Sequence, residues 1–235
     1  MQCVILAGGL GTRMQTLAKG LPKSLIPIKN RPFLHYQLSL LAKQGIKSIL
    51  LCVGYGADQI ERYAEDGRTW GLQITYAREG NDLRGTGGAL RLAYDQGRLQ
   101  PVFFVLYGDS YLPVNFLPVW TYFETRTEPA LMVVLKNEGR WDRSNARFDG
   151  QKITCYDKRN PVPDMAYIDY GLSVLRAEAV DQAIPPRSVY DLSDLFHKFS
   201  ERGKLAGFEV ATRFYEIGSP EGLKDLTAYL SKSSE

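Results

Sequence analysis

Along the first half of the chain, short β-rich apolar runs alternate with stretches of helical periodicity. The runs "QCVILA" (2–7), "KSILLCV" (47–53), "LQITYA" (72–77) and "VFFVLYGD" (102–109) read as four strands. Between them, "PFLHYQLSLLAKQG" (32–45) places Leu34, Leu38 and Leu41 on one helical face, with Pro32 near its start and Gly45 as its stop. "ADQIERYAED" (57–66) predicts a more polar helix, and "GGALRLAYDQG" (87–97) a third, closed by Gly97. The fourth strand is apolar without a break, as a strand covered on both faces must be. This alternation predicts right-handed crossovers and a mostly parallel sheet with helices on both sides.

After Asn115 the rhythm changes. "ALMVVLK" (130–136), "AYIDYGLSVLR" (166–176) and "LAGFEVA" (205–211) read as strands, and "ARFDGQKITCYDK" (146–158) as a hairpin turning at Asp149-Gly150. "DLSDLFHKFSERG" (191–203) predicts a helix capped by Asp191 or Ser193. "SPEGLKDLTAYLSK" (219–232) predicts a last one, with Ser219 as N-cap and Pro220 at its first position. With no linker, repeat or low-complexity tract in view, the 235 residues are expected to form one α/β domain with a mixed second half.

Composition adds mainly exclusions. The net charge of +3 carries no dense Lys/Arg stripe, so a nucleic-acid partner is not expected. No basic leader precedes an apolar stretch, and no run of about 18 apolar residues occurs, so neither secretion nor a membrane partner is expected. Cys3, Cys52 and Cys155 sit in strand-like runs without CxxC spacing and read as buried thiols of a reduced, cytoplasmic protein. His35 and His197 stand apart without the clustering of a zinc site, and no GxSxG elbow is present.

The candidate chemistry begins at "VILAGGLGTRMQTLAKGLPKSLIPI" (4–28). Gly8, Gly9 and Gly11 follow a strand directly, at the sheet edge where open α/β folds bind ligands. Neither GxGxxG nor GxxxxGK[ST] fits. A glycine loop ending in Thr12-Arg13 can wrap a phosphate with its amides while the guanidinium forks onto it; it can equally be a tight turn with a surface arginine. Lys23, between Pro22 and the apolar "SLIPI", is either a second cation for that anion or a solvated loop lysine.

"LAGGLGTR…PKSLIPI" resembles the N-terminal motif of the sugar-1-phosphate nucleotidyltransferases. "RGTGGAL" (84–90), "LYGDSYL" (106–112), "YDK" (156–158), "DYG" (169–171) and "FYEIGSPEG" (214–222) follow in that family's order, so the similarity spans nearly the whole chain. Within the family the chain is most similar to enzymes that activate mannose- or heptose-1-phosphate with GTP; UTP, CTP and dTTP remain alternatives.

The resemblance implies a Rossmann-like three-layer sandwich in a single domain, with a nucleotide-binding half (1–114) and a sugar-phosphate-binding half (115–235). It implies attack of a sugar-1-phosphate oxygen on the α-phosphorus of an NTP, with pyrophosphate leaving and Mg²⁺ as cofactor. Arg13 would hold the pyrophosphate and Lys23 the α-phosphate. Leu6, Ala7, Gly8, Gly9, Gly11 and Thr12 would line the nucleotide, and the glycines Gly85, Gly87 and Gly88 would pack backbone on the base before a helix begins. The alternative for that segment is a plain helix N-terminus with Thr86 as cap. Asp109 would hold the metal together with Glu216, which stands where the family carries an aspartate. Gly108, Lys158, Asp169 and Gly171 would contact the sugar phosphate. Asn145 would face it too, or be a solvated hairpin residue. A homodimer is implied by resemblance alone. Two rival readings are a glycosyltransferase, which the missing D-x-D motif disfavours, and a nucleotide-binding regulator without turnover, suggested by Glu216 and disfavoured by the intact Arg13, Lys23 and Asp109.

Overall fold

Strand β1 (Gln2–Leu6) is buried along its whole length, and its alternation divides the molecule. Cys3 and Ile5 point into one apolar cluster, Val4 and Leu6 into another, so each face of the strand needs its own cover. The computed structural model describes residues 1–9, 20–80 and 82–232. After β1 come a 3-10 turn (Lys23–Leu25), the two-residue strands β2 (Pro27–Ile28) and β3 (Arg31–Pro32), then α1 (Phe33–Lys43), β4 (Ser48–Val53) and α2 (Ala57–Ala64). A second 3-10 turn (Arg68–Trp70) leads to β5 (Gln73–Arg78), α3 (Gly85–Asp95), β6 (Val102–Tyr107), β7 (Ser110–Tyr111) and α4 (Phe116–Glu124). The second half runs β8 (Ala130–Lys136), β9 (Ala146–Phe148), β10 (Ile153–Tyr156), β11 (Tyr167–Arg176), α5 (Ala177–Ala183), α6 (Leu192–Glu201), β12 (Leu205–Val210), β13 (Tyr215–Glu216) and α7 (Pro220–Lys232).

A nine-stranded sheet runs through both halves. β1 lies between β4 and β6, parallel to both, and β5 adds in parallel to β4. β11 is antiparallel to β6, β8 and β9, β12 is parallel to β8, and β10 is antiparallel to β9. Hence β1, β4, β5, β6, β8, β9 and β12 share one direction while β10 and β11 oppose it, and the expected mostly parallel mixed sheet is observed. α1 and α4 bury Leu34, Leu38, Leu41, Phe116 and Phe123 on one face; α3, α5 and α6 bury Leu90, Val180, Leu195 and Phe196 on the other. Each such side chain contributes about 1.5–3 kcal/mol by leaving water. A third cluster, of Ile26, Ile28, Phe33, Ile217, Leu226 and Leu230, seats α7 against the β2–β3 corner.

Two helices escaped the sequence reading. α4, "FLPVWTYFE", is too apolar all round to show a stripe and carries Pro118, which falls in its first turn where no intrahelical N–H is needed. α5 follows β11 with no turn residue between, Arg176 ending the strand and serving as the helix N-cap. Two caps behave as expected. The Asp191 side chain, not that of Ser193, caps α6 by accepting from Ser193 N at 2.8 Å, and Ser219 Oγ accepts from Gly222 N at 3.1 Å.

Candidate active site

β1 and β6 end side by side, Leu6 opposite Tyr107, and their C-terminal ends open into a cavity of about 280 Å³. Leu6, Ala7, Gly8 and Gly9 form one wall, Gly85, Thr86, Leu83 and Ala89 another, and Lys23, Tyr107, Gly108 and Asp109 the end. Of the sequence-predicted residues, Gly11, Thr12 and Arg13 lie outside the described residues. Gly108, expected beside the sugar phosphate, lines this cavity next to Asp109.

The "RGTGGAL" segment is placed differently from the expectation. The helix already begins at Gly85, so these glycines are part of α3 and do not precede it. Gly85 needs its lack of a side chain twice over, having φ +72° and the Tyr190 carbonyl 2.7 Å from where a Cβ would stand. Gly87 and Gly88 do not line the cavity. They are buried against the Tyr190 ring and the Ser188 carbonyl, each within 2.8 Å of a would-be Cβ, so packing of the 188–190 segment is what forbids side chains there. Thr86 caps α6, not α3. Its Oγ1 accepts from Leu192 N at 2.8 Å and donates to Asp191 Oδ1 at 3.3 Å.

Two residues that the sequence reading passed over define the cavity. Glu79 follows β5, is 8 % exposed, and lines the cavity wall. Its Oε1 accepts from Arg84 N at 2.9 Å, and its Oε2 would stand 2.2 Å from a Cβ at Gly8, so a side chain at position 8 would displace this carboxylate. Burial raises this carboxyl above its ordinary range, and the Arg84 amide pulls it back. Gln37, 1 % exposed on α1, donates its two amide hydrogens to the carbonyls of Tyr107 (2.8 Å) and Ser110 (2.9 Å). It thereby brackets the turn that carries Gly108 and Asp109. Both had a legible signal: Glu79 ends a parallel strand as Asp109 does, and Gln37 interrupts the Leu34–Leu38–Leu41 face.

At the end of the cavity Lys23 forms an ion pair with Asp109, both partly exposed. The Asp109 carbonyl accepts from Ile217 N at 3.0 Å, and β13 pairs with β7 so that Glu216 lies opposite Ser110. Lys23 Nζ and Glu216 Oε2 stand 3.4 and 3.9 Å from the place a Gly218 Cβ would occupy. Glu216 keeps a face to solvent, yet the protein crowded around its carboxyl, and next the Asp109 charge, push it up to about 7 against Lys23 and Lys158. Two hard oxygen donors that repel each other form a fitting partial shell for Mg²⁺, which takes one or two carboxylates and completes its sphere with waters and phosphate oxygens. Among the described residues no cluster of three or more His, Cys, Asp or Glu forms a fuller protein cage.

The sugar-side residues gather around β11. Gly171, at φ +85°, sits where the pairing of β11 with β8 shifts register, and its amide donates to Asp169 Oδ1 at 2.9 Å. Asn145 is no solvated hairpin residue: its Oδ1 accepts from Asp169 N at 2.9 Å. Tyr156 OH donates to Asp169 Oδ2 at 3.3 Å, and burial raises the Asp169 carboxyl despite these partners and Lys158. Lys158 Nζ lies 5.7 Å from the centre of the Tyr107 ring. Tyr107 thus stands between the two groups, its phenol held neutral by burial and then by the nearby Asp169, Asp191, Asp109 and Glu216 charges. His35 and His197 are satisfied structurally, by Trp70 Nε1–H at 3.1 Å and the Tyr156 carbonyl at 2.6 Å, and all three cysteines are free.

A glycine-walled cavity at the ends of parallel strands, closed by a Lys–Asp pair, lies where open α/β folds bind their ligands. The nucleotidyl transferase family model matches residues 2–145. The chain belongs to that family and is an enzyme of the nucleotidyltransferase type. It is 29 % identical over 225 residues to D-glycero-alpha-D-manno-heptose 1-phosphate guanylyltransferase of Campylobacter jejuni, covering 94 % of this chain and 96 % of that one. To the UTP–glucose-1-phosphate uridylyltransferase of a Synechocystis strain it is 30 % identical over 224 residues, covering 86 % and 56 %. The inositol-1-phosphate CTP transferase of T. maritima superimposes with a TM-score of 0.82 at 20 % identity, over 100 % and 96 %, a likeness of fold. The resemblance read from the motifs and the expected fold are both borne out. The three relatives differ in nucleotide.

Proposed function

We propose that the enzyme transfers the guanylyl group of GTP to a sugar 1-phosphate of the heptose or mannose type, with Mg²⁺, releasing pyrophosphate and an NDP-sugar for glycan, capsule or lipopolysaccharide assembly. The observation that favours GTP is Glu79. An ionised carboxylate only accepts hydrogen bonds, and guanine is the base that offers two adjacent donors, N1–H and the 2-amino group, on one edge. Uracil and thymine offer a single N3–H between two carbonyls that a carboxylate repels, and cytosine pairs one amino donor with an acceptor. The guanylyltransferase relative from C. jejuni points the same way.

Little covalent help is needed for nucleotidyl transfer, so positioning and charge neutralisation supply most of the rate. Asp109 and Glu216 would hold the metal, which when bound neutralises phosphate charge. Lys23 would meet the α-phosphate as the attacking oxygen arrives, and Lys158 would steer the sugar phosphate from the Asp169 side. Tyr107 and the Leu6–Gly9 wall keep water from the nucleoside. A cytoplasmic setting, where nucleoside triphosphates are held, goes with this reading.

Pyrophosphate release tests it. With GTP, Mg²⁺ and mannose 1-phosphate or heptose 1-phosphate, the wild type is expected to turn over, and Lys23→Ala or Asp109→Asn to lose about two orders of magnitude or more while melting normally. Near-wild-type rates in either variant would sink the assignment.

A further inference from the structure

A second cavity, of about 640 Å³, opens between the 127–129 segment, Lys152, α5, α6 and the 203–204 turn. Its rim leads into β8 and β12, which run in the direction of β1 and β6, so it lies at the end of the sheet opposite to Asp109. We propose that this cavity binds a small organic phosphate, and that the ligand loosens the wall of the active-site cavity by competing for Lys198.

The lining is one-sided in charge. Lys152, Lys198, Arg202 and Lys204 all contribute to it, in a chain whose net charge is only +3. Glu128 is the one acidic residue among them, and it is already bonded by Arg126 at 2.9 Å and by Lys152 at 3.2 Å. Arg202 and Lys204 are exposed, and among the described residues their side chains have no hydrogen-bond or ion-pair partner. They are not needed at the end of α6 either. Ser200 O accepts from Gly203 N at 3.1 Å and Phe199 O from Lys204 N at 2.8 Å, while Gly203 O is taken by Lys152 Nζ at 3.1 Å. Cations left over in this way, over a floor of buried Ala179, Leu195 and Phe199, suit a ligand with phosphate groups on a carbon skeleton.

Lys198 connects this cavity to the other. Its Nζ donates to Tyr190 OH at 2.9 Å and lies 5.0 Å from the centre of that ring. Tyr190 in turn holds the start of α3: its carbonyl accepts from Gly87 N at 2.9 Å and Gly88 N at 3.1 Å, and its amide donates to Arg84 O at 2.8 Å. Gly85, Thr86 and Ala89 of the same helix line the active-site cavity. A phosphate that draws Lys198 away releases the Tyr190 ring, and the wall beyond it loses a brace. Linkage is reciprocal, so a ligand held in the first cavity weakens phosphate binding in the second by the same factor.

Fructose 1,6-bisphosphate is a suitable probe, and calorimetry at fixed salt reads its binding without turnover. The wild type and Lys23→Ala are expected to bind it alike, which separates this cavity from the active site. Arg202→Glu combined with Lys204→Glu, both on the surface, is expected to weaken binding about tenfold or more with an unchanged melt. In turnover, the probe is expected to raise the KM for GTP about fivefold with kcat held. The double variant should keep the basal KM and lose this response, and Lys198→Met should show a raised KM that the probe no longer moves. No binding to the wild type at millimolar probe, undiminished binding in the double variant, or binding lost in Lys23→Ala would overturn the site. Binding that leaves the KM unmoved would overturn the coupling. Absence of pyrophosphate release by the wild type would instead overturn the transferase reading, and calorimetry would still decide whether the phosphate binds here.

Discussion

Gln37 shows how much a single side chain can fix in this site. Its own side chain does not line the cavity, yet both of its amide hydrogens hold the carbonyls on either side of Gly108–Asp109. Removing them frees the turn to shift, and about 1 Å of misplacement at a reacting centre can cost on the order of a hundredfold. Gln37→Leu is therefore expected to lower kcat by one to two orders of magnitude with little change in the KM for nucleotide. A purely structural residue would lower Tm and leave kcat per folded molecule unchanged, which a melt alongside the kinetics separates. Asp109 and Lys23 were legible in the sequence because one ends an apolar strand and the other stands in an apolar frame. Glu79 ends a strand in the same way and went unread because "REGNDL" carries no motif. The packing role of Gly87 and Gly88 was illegible for a different reason: what excludes a side chain there is Ser188 and Tyr190, about a hundred residues away.

At the level of elements, the Leu83–Ala89 wall of the cavity is held in place by two helix starts locked together. Thr86 accepts from Leu192 N and donates to Asp191, while Asp191 caps α6 through Ser193 N. Thr86→Ala removes a cap-like pair of bonds worth about 1–2 kcal/mol, so a Tm drop of roughly 2–8 °C is expected for a domain of this size. Thr86→Ser should restore most of it; an unchanged melt for the alanine variant would contradict the lock. On the opposite side of the molecule, Glu128 ties the entry to β8 to the hairpin through Arg126 and Lys152. Burial raises the Glu128 carboxyl, but the hydrogen bonds from Arg126 and Lys152 outweigh it and hold the group at about 2. A depressed carboxyl stabilises the fold above its unfolded range and loses that contribution as pH falls towards 2. The difference in urea midpoint between wild type and Glu128→Gln should thus be full at pH 6 and shrink between about pH 4.5 and 2. A difference independent of pH would show that the ion pairs do not carry it. The helices α4 and α5 belong to this scale too: neither shows a stripe or a turn signal, and only the sheet they cover gives them a reason to form.

For the whole molecule, one sheet carries two groups of candidate site residues. Its parallel half ends in the glycine-walled cavity with Glu79 at one side, and its mixed half bends at Gly171 to bring Asp169, Asn145 and Lys158 up to Tyr107. Strand–helix alternation made the first half readable, since each parallel strand announces its crossover. The second half was readable as separate strands, a hairpin and two helices but not in its strand order, because that order depends on register and on a bend that local patterns do not encode. The account turns on the claim that Glu79 selects guanine in this cavity. The most direct test is the ratio of kcat/KM for GTP to that for UTP in wild type and Glu79→Gln. Losing a charge-assisted acceptor for guanine should lower that ratio at least about tenfold to a hundredfold, mostly through the KM for GTP. An unchanged ratio, with the wild type still preferring GTP, would place base selection elsewhere and contradict the account.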